Sequence, residues 1–135
     1  MAHLLVPAKK DLIDSMIDPI LDSLKEVEAS GKVIYQLHLT LEEIFVNIVN
    51  YAYDEEGGNV DISYHLDIEN RNVKITITDK GKEFDPLKVE EPSFEGTAKE
   101  RKIGGLGIYI VKNLVDDIEY HRFNNQNVLE ITKNY

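Results

Sequence analysis

The segment "VDISYHLDIENRNVKITITD", residues 60–79, decides the fold. Its first half places apolar and polar residues in alternation, the period of a strand with one buried face. Asn70, Arg71 and Asn72 supply turn chemistry, and "VKITITD" (73–79) alternates again on the way back. Two such runs joined by so short a turn pair antiparallel, because a parallel pair needs a crossover of a dozen residues or more.

Outward from this hairpin toward the N-terminus, "DEEGGN" (54–59) reads as a turn and Val33 to Tyr53 as a helix. An earlier helical stretch runs from about Asp11 to Ser30. Asp18-Pro19 is expected to interrupt and restart it, with Asp18 as N-cap and Pro19 at the first helical position, and Gly31 to close it. "HLLVPA" (3–8) reads as a short strand. Toward the C-terminus, residues 80–104 form a long loop rich in Gly, Pro, Ser, Thr and charge. "GLGIYIVKNLVD" (105–116) is a helix opening on glycine, and "IEYHRF" and "NVLEITKN" make a hairpin around "NNQ". The order is strand, two helices, two strands, loop, helix, two strands. It lacks the alternation of a doubly wound sheet. It predicts a two-layer α/β sandwich over 1–135, one domain, with a mixed, mostly antiparallel sheet and helices on one face.

The totals limit what such a domain does. With 135 residues, 42% hydrophobic and 30% charged, the chain suits one modest core. No apolar run approaches the roughly 20 residues that span a bilayer. The start, "MAHLLVPAKK", is too short and too soon polar for a secretory signal. Without cysteine there are no disulfides and no thiolate metal sites. A cytoplasmic location is expected. A formal net charge of −10 repels nucleic acid and anionic lipid, so neither is expected as a partner. A polyphosphate ligand would need backbone N–H groups, a cation, or nearby Lys and Arg.

Within the second helix, "LEEIFVNIVNYAY" (41–53) carries an unusual stripe. Leu37, Leu41, Ile44, Ile48 and Ala52 follow helical spacing and belong to the core. Glu43, Asn47 and Asn50 fall within an arc of about 60° on another side. An unpaired buried carboxylate is costly, so Glu43 needs water, a partner or a ligand. Alone, the stripe is equally the wet edge of a helix. Its chemical reading is specific, however. An Asn oxygen is a neutral, hard ligand for Mg²⁺, and a Glu one turn earlier can orient or deprotonate a hydroxyl.

Two glycine segments follow. In "TDKGKEFDP" (78–86), Asp79 ends a strand and can accept a hydrogen bond from an amino group such as adenine's, while Gly81 lets a flat ring approach. Alone, this is a surface turn. In "KIGGLGIYIVKNLV" (102–115), Gly104, Gly105 and Gly107 open an apolar helix whose free N–H groups attract phosphate. No Gly-Lys-Ser/Thr follows, which excludes the Walker pattern. Alone, this is a glycine cap.

In this order the three segments resemble the GHKL (Bergerat-type) ATP-binding family of sensor histidine kinases, type II topoisomerases and Hsp90-like chaperones. "EEIFVNIVNYAY" matches the N-box, "DKGKEFDP" the first glycine box and "GGLGIYIVKNLVD" the second. The resemblance is strongest to the anti-sigma-factor serine/threonine kinases. Their Glu-x-x-x-Asn-x-x-x-x-Ala-Tyr form is met by Glu43, Asn47, Ala52 and Tyr53. It covers essentially the whole chain. Glu83 stands where a second glycine is common, and Tyr51 where these kinases often have His.

The resemblance implies a Bergerat fold and an ATP-dependent protein serine/threonine kinase. Asn47 would bind Mg²⁺ bridging the triphosphate, and Glu43 would act as general base. Asp79 would meet the adenine amino group, with Gly81 beside it. Gly104, Gly105, Leu106 and Gly107 would lie against the phosphates. Residues 87–104 would form the ATP lid. Its Lys99, Arg101 and Lys102 could offset phosphate charge, and equally read as the charges of a solvated loop. Asn50 would add an auxiliary contact, and Thr97 an adenine- or phosphate-side one. The implied substrate is a small STAS-type anti-anti-sigma protein. The implied partner is a sigma factor or comparable regulator, held by a homodimer. A second reading is a partner-switching module that binds nucleotide but transfers little phosphate. A third is a detached histidine-kinase catalytic domain. That reading needs a phosphoaccepting His on a dimerisation helix, and His3, His38, His65 and His121 do not sit on one.

Overall fold

A computed structural model of the chain describes residues 2–88 and 111–135. The central hairpin forms strands β2 (Asn59–Asp67) and β3 (Asn72–Asp79), in a register running from Val60 opposite Asp79 to Asp67 opposite Asn72. Asp67 fastens the turn by accepting from the Asn70 backbone N–H at 3.0 Å and its side-chain amide at 2.8 Å. β1 (Ala2–Pro7) lies antiparallel along β2. β5 (Gln126–Asn134) lies along β3, and β4 (Asp117–Phe123) along β5. The sheet order is β1-β2-β3-β5-β4, and every pairing is antiparallel, so no mixed element is present among the described strands. The β4–β5 turn uses Asn124 and Asn125 at φ 51° and 59°, left-handed values that Asn tolerates.

Strand alternation puts Val60, Ile62, Ile75, Ile77, Leu129 and Ile131 on one buried face. Helices α1 (Ile13–Glu26) and α2 (Gly31–Asn47) cover that face, and their buried residues join the strands in one core cluster. Burial of this apolar stripe supplies most of the helices' stability. Among the described residues, no helix is long and apolar enough to cross a membrane.

The helices correct three expectations. Asp18-Pro19 does not interrupt the first helix; Pro19 sits inside α1. The carbonyl that Pro19 leaves without its helical partner belongs to the exposed Ser15, and Met16, Ile17, Ile20 and Leu24 hold the helix on the sheet. Gly31 does not close α1 either. The chain turns at Glu28, whose φ is 57°. Glu28 N–H donates to the Lys25 carbonyl and Ala29 N–H to that of Leu24, both at 3.0 Å, a Schellman ending built without glycine. Gly31 instead opens α2, where Ser30 Oγ caps the Val33 N–H at 3.2 Å. Finally, α2 stops at Asn47 and continues as one π-helical turn, Ile48–Ala52. Of the expected helix over 105–116, residues 105–110 lie outside the described residues; Val111 and Lys112 are helical.

Two alternations end on polar residues. After Val73, Ile75 and Ile77, the next inward residue of β3 is Asp79. On β5, Asn127 precedes Leu129 and Ile131 on the same face. Register sets Asp79 directly opposite Asn127. The core therefore gives way to a polar site at this end of the sheet.

Candidate functional site

A cavity of about 240 Å³ opens there, beneath the α-to-π junction of the second helix. Ile44, Ile48, Ala52, Ile77, Phe84 and Leu129 supply apolar walls, while Asp79, Asn47, Tyr51 and Tyr120 supply polar groups. Spacing explains the helical wall: Ile44, Asn47, Ile48, Tyr51 and Ala52 recur at intervals of one helical turn. The same spacing sets Glu43 and Asn50 further round the helix. Neither lines the cavity; Glu43 is half-buried at its border and Asn50 is exposed.

Asp79 is the deepest charged group, only 6% exposed. Its Oδ1 accepts from the Gly81 N–H and from Asn127 Nδ2, each at 2.9 Å. Among the described residues Oδ2 takes no hydrogen bond. Burial raises the carboxyl above the ordinary Asp range, against the opposing pull of the Asn127 and Gly81 hydrogen bonds and the Arg122 charge. A half-engaged carboxylate in an apolar slot can accept one further donor, such as an amino group on a flat ligand.

Asn47 is 9% exposed and lines the cavity. Its Nδ2 donates to Glu43 Oε1 at 3.4 Å, a long bond. Its Oδ1 has no protein donor among the described residues and stays available as a neutral oxygen ligand. One protein oxygen at a pocket wall suits Mg²⁺, which keeps several waters and draws other ligands from phosphate.

Gly81 contributes by its smallness. A Cβ there would meet the Ala52 carbonyl oxygen at 2.2 Å and the Ala52 carbonyl carbon at 2.6 Å. Lys82 N–H donates to that same oxygen at 2.9 Å. The loop after β3 is thus pressed against the end of the π turn, and the protein itself demands the glycine. Tyr53 completes the seam. Its hydroxyl donates to the Asn59 carbonyl at 2.6 Å and accepts from the Lys80 N–H at 2.7 Å. Gly58 makes room for its ring, since a Cβ there would lie 2.2 Å from Tyr53 Cε1.

Of the residues expected from sequence, Asn47 and Asp79 meet in one cavity, Gly81 supports it, Glu43 borders it and Asn50 stands off. Thr97, Gly104, Gly105, Leu106 and Gly107, with Lys99, Arg101 and Lys102, lie outside the described residues. Sequence reasoning missed Asn127, Arg122, Tyr120 and Phe84. One signal was available: Asn127 is a polar residue at an inward position of β5, in line with the apolar Leu129 and Ile131.

Comparisons with known proteins bear on the family and the fold. A family model described as a histidine kinase-like ATPase domain matches residues 6–133. The serine-protein kinase RsbW of Halalkalibacterium halodurans is 30% identical over 118 residues, covering 84% of this chain and 71% of the relative. The RsbW of Listeria innocua is 30% identical over 97 residues, covering 68% of this chain but only 60% of the relative. Among solved structures, the RsbU and RsbW domains of a Mycobacterium tuberculosis protein align with a TM-score of 0.64 at 14% identity, over 99% of this chain and 32% of that one. The histidine kinase domain of a blue-light activated histidine kinase from Erythrobacter litoralis aligns with a TM-score of 0.54 at 12% identity, over 90% of this chain and 60% of that one. At such low identity these two likenesses bear on the fold alone.

Proposed function

Because this chain belongs to the histidine kinase-like ATPase domain family, we propose that it is an ATP-dependent protein serine/threonine kinase of the anti-sigma-factor type. Its protein substrate is a small STAS-type anti-anti-sigma protein, and it also sequesters a sigma factor or comparable regulator, as a homodimer. The observation that carries this reading is Asp79: a buried carboxylate with one oxygen pinned and the other open, in an apolar slot that also holds Asn47.

In this reading adenine enters between Ile44, Ile48, Ala52 and Leu129, and its exocyclic amino group donates to Asp79 Oδ2. The apolar walls exclude water and strengthen that hydrogen bond. Asn47 Oδ1 would hold magnesium, which when bound neutralises phosphate charge that a chain of net charge −10 otherwise repels. Glu43 stands one turn before Asn47, at the border of the slot rather than inside it. From there it receives the proton of an incoming Ser or Thr hydroxyl as that oxygen attacks the terminal phosphorus, the bond from that phosphorus to the β–γ bridging oxygen breaks, and ADP leaves. Positioning and charge neutralisation supply most of the catalysis in phosphoryl transfer, so a small site suffices.

The test is incubation with γ-labelled ATP and the cognate STAS protein. Label should move to the STAS protein, and Glu43→Ala should bind ATP yet lose transfer. Full transfer by that variant would remove Glu43 as base. ATP binding without any transfer in the wild type would identify a partner-switching module instead.

A further inference from the structure

The cavity wall includes a bracing residue that lies outside every motif. Asn127 on β5 faces Asp79 on β3 and Arg122 on β4 in one cross-strand row. It is 7% exposed. Its Nδ2 donates to Asp79 Oδ1 at 2.9 Å and to the Lys82 carbonyl at 2.7 Å. Its Oδ1 accepts from Tyr120 Oη at 2.6 Å, Arg122 Nη1 at 3.1 Å and the Phe84 N–H at 3.2 Å. An amide has two hydrogens to donate and two lone pairs to offer, and protein groups take all of them. Asn127 therefore has nothing left for a ligand. Its bonds hold other groups still.

Arg122 extends the brace. The same Nη1 donates to the Gly81 carbonyl at 2.9 Å, fixing the loop whose N–H holds Asp79 Oδ1. Asp79 is thus reached twice from one tether, through Asn127 directly and through Gly81. With Oδ1 pinned from two directions, the carboxylate plane is set and Oδ2 is the acceptor left to the cavity.

We propose that Asn127, anchored by Arg122, is a positioning residue that gives the site its preference for a 6-amino purine nucleotide by locking the Asp79 carboxylate. The proposal rests on the ATP-site reading above. A locked Oδ2 accepts from an amino group at the 6-position and repels a 6-oxo oxygen. A carboxylate released from Asn127 can rotate, or turn toward water, and loses that discrimination.

The experiment measures the affinity of the full chain for ATP and for purine riboside triphosphate, which lacks the amino group. Wild type, Asn127→Ala and Arg122→Gln are compared. The wild type should prefer ATP by about tenfold or more, the value of a hydrogen bond to a charged acceptor. Both variants should lose ATP affinity while keeping that for the deamino analogue, so the ratio falls toward one. A merely structural role would weaken both nucleotides in parallel, and an unchanged ratio overturns the proposal. Should Asn127→Ala fail to give a cooperative melt, Arg122→Gln on the edge strand decides by the same ratio. A wild type that binds neither nucleotide overturns the ATP-site reading itself, and the proposal with it. ATP preference retained in the variants overturns the positioning role alone.

Discussion

Single residues show how one side chain serves both stability and chemistry. Asp79 ends a strand whose other inward residues are Val73, Ile75 and Ile77. Placing a carboxylate there opposes its charge, so the folded state binds its proton more tightly than the unfolded chain does. Stability from this group is therefore full below the unfolded Asp value of about 4 and is lost as pH rises through the raised folded value. Asp79→Asn should remove that loss. Urea midpoints across this pH interval should fall less steeply for the variant than for the wild type; equal slopes would mean that Asp79 contributes nothing to the pH dependence. Asp79 was singled out in the sequence by its place before Gly81 in the glycine-box segment, and it lines the cavity. Its partner Asn127 was not singled out, because that pairing depends on strand register between residues 48 positions apart.

Between elements, the decisive contact is the loop after β3 against the end of the second helix. Three observations meet there: the closeness of Gly81 to Ala52, the Lys82 bond to the Ala52 carbonyl, and the Tyr53 hydroxyl bridging Asn59 and Lys80. Backbone, unlike a flexible side-chain tip, cannot yield to an added methyl. Gly81→Ala should cost about 1–3 kcal/mol in denaturant unfolding and enlarge the gap between loop and helix. Full stability in that variant would refute the close approach. The helices themselves were legible by period, but their ends were not. α1 ends at Glu26, is followed by a left-handed Glu28, and runs through Pro19, since buried Met16, Ile17, Ile20 and Leu24 outweigh one lost backbone hydrogen bond.

Across the whole molecule, the site joins three separate parts of the chain: the second helix, the β3 loop and the last hairpin. A ligand that bridges them stabilises the folded state by mass action. ATP with Mg²⁺ at 100 times its Kd should add about 2.7 kcal/mol, seen as a rise in melting temperature. Asn47→Ala should abolish the magnesium-dependent share of that rise. An undiminished rise would count against Asn47 as the metal-side residue.

At this scale the division between sequence and structure is clear. Local periodicity and turn chemistry by themselves determined the strands, the two helices and their order, since each is written in residues a few positions apart. The resemblance of three short segments pointed to Asn47 and Asp79 as members of one site, and the packing of α2 on the sheet sets both on one cavity. Only the tertiary structure decided that every described strand pairing is antiparallel, that Gly81 answers to Ala52, and that Asn127 and Arg122 stand behind Asp79. Those facts arise from register and packing between distant segments, where a polar residue acquires its meaning from the group placed opposite it.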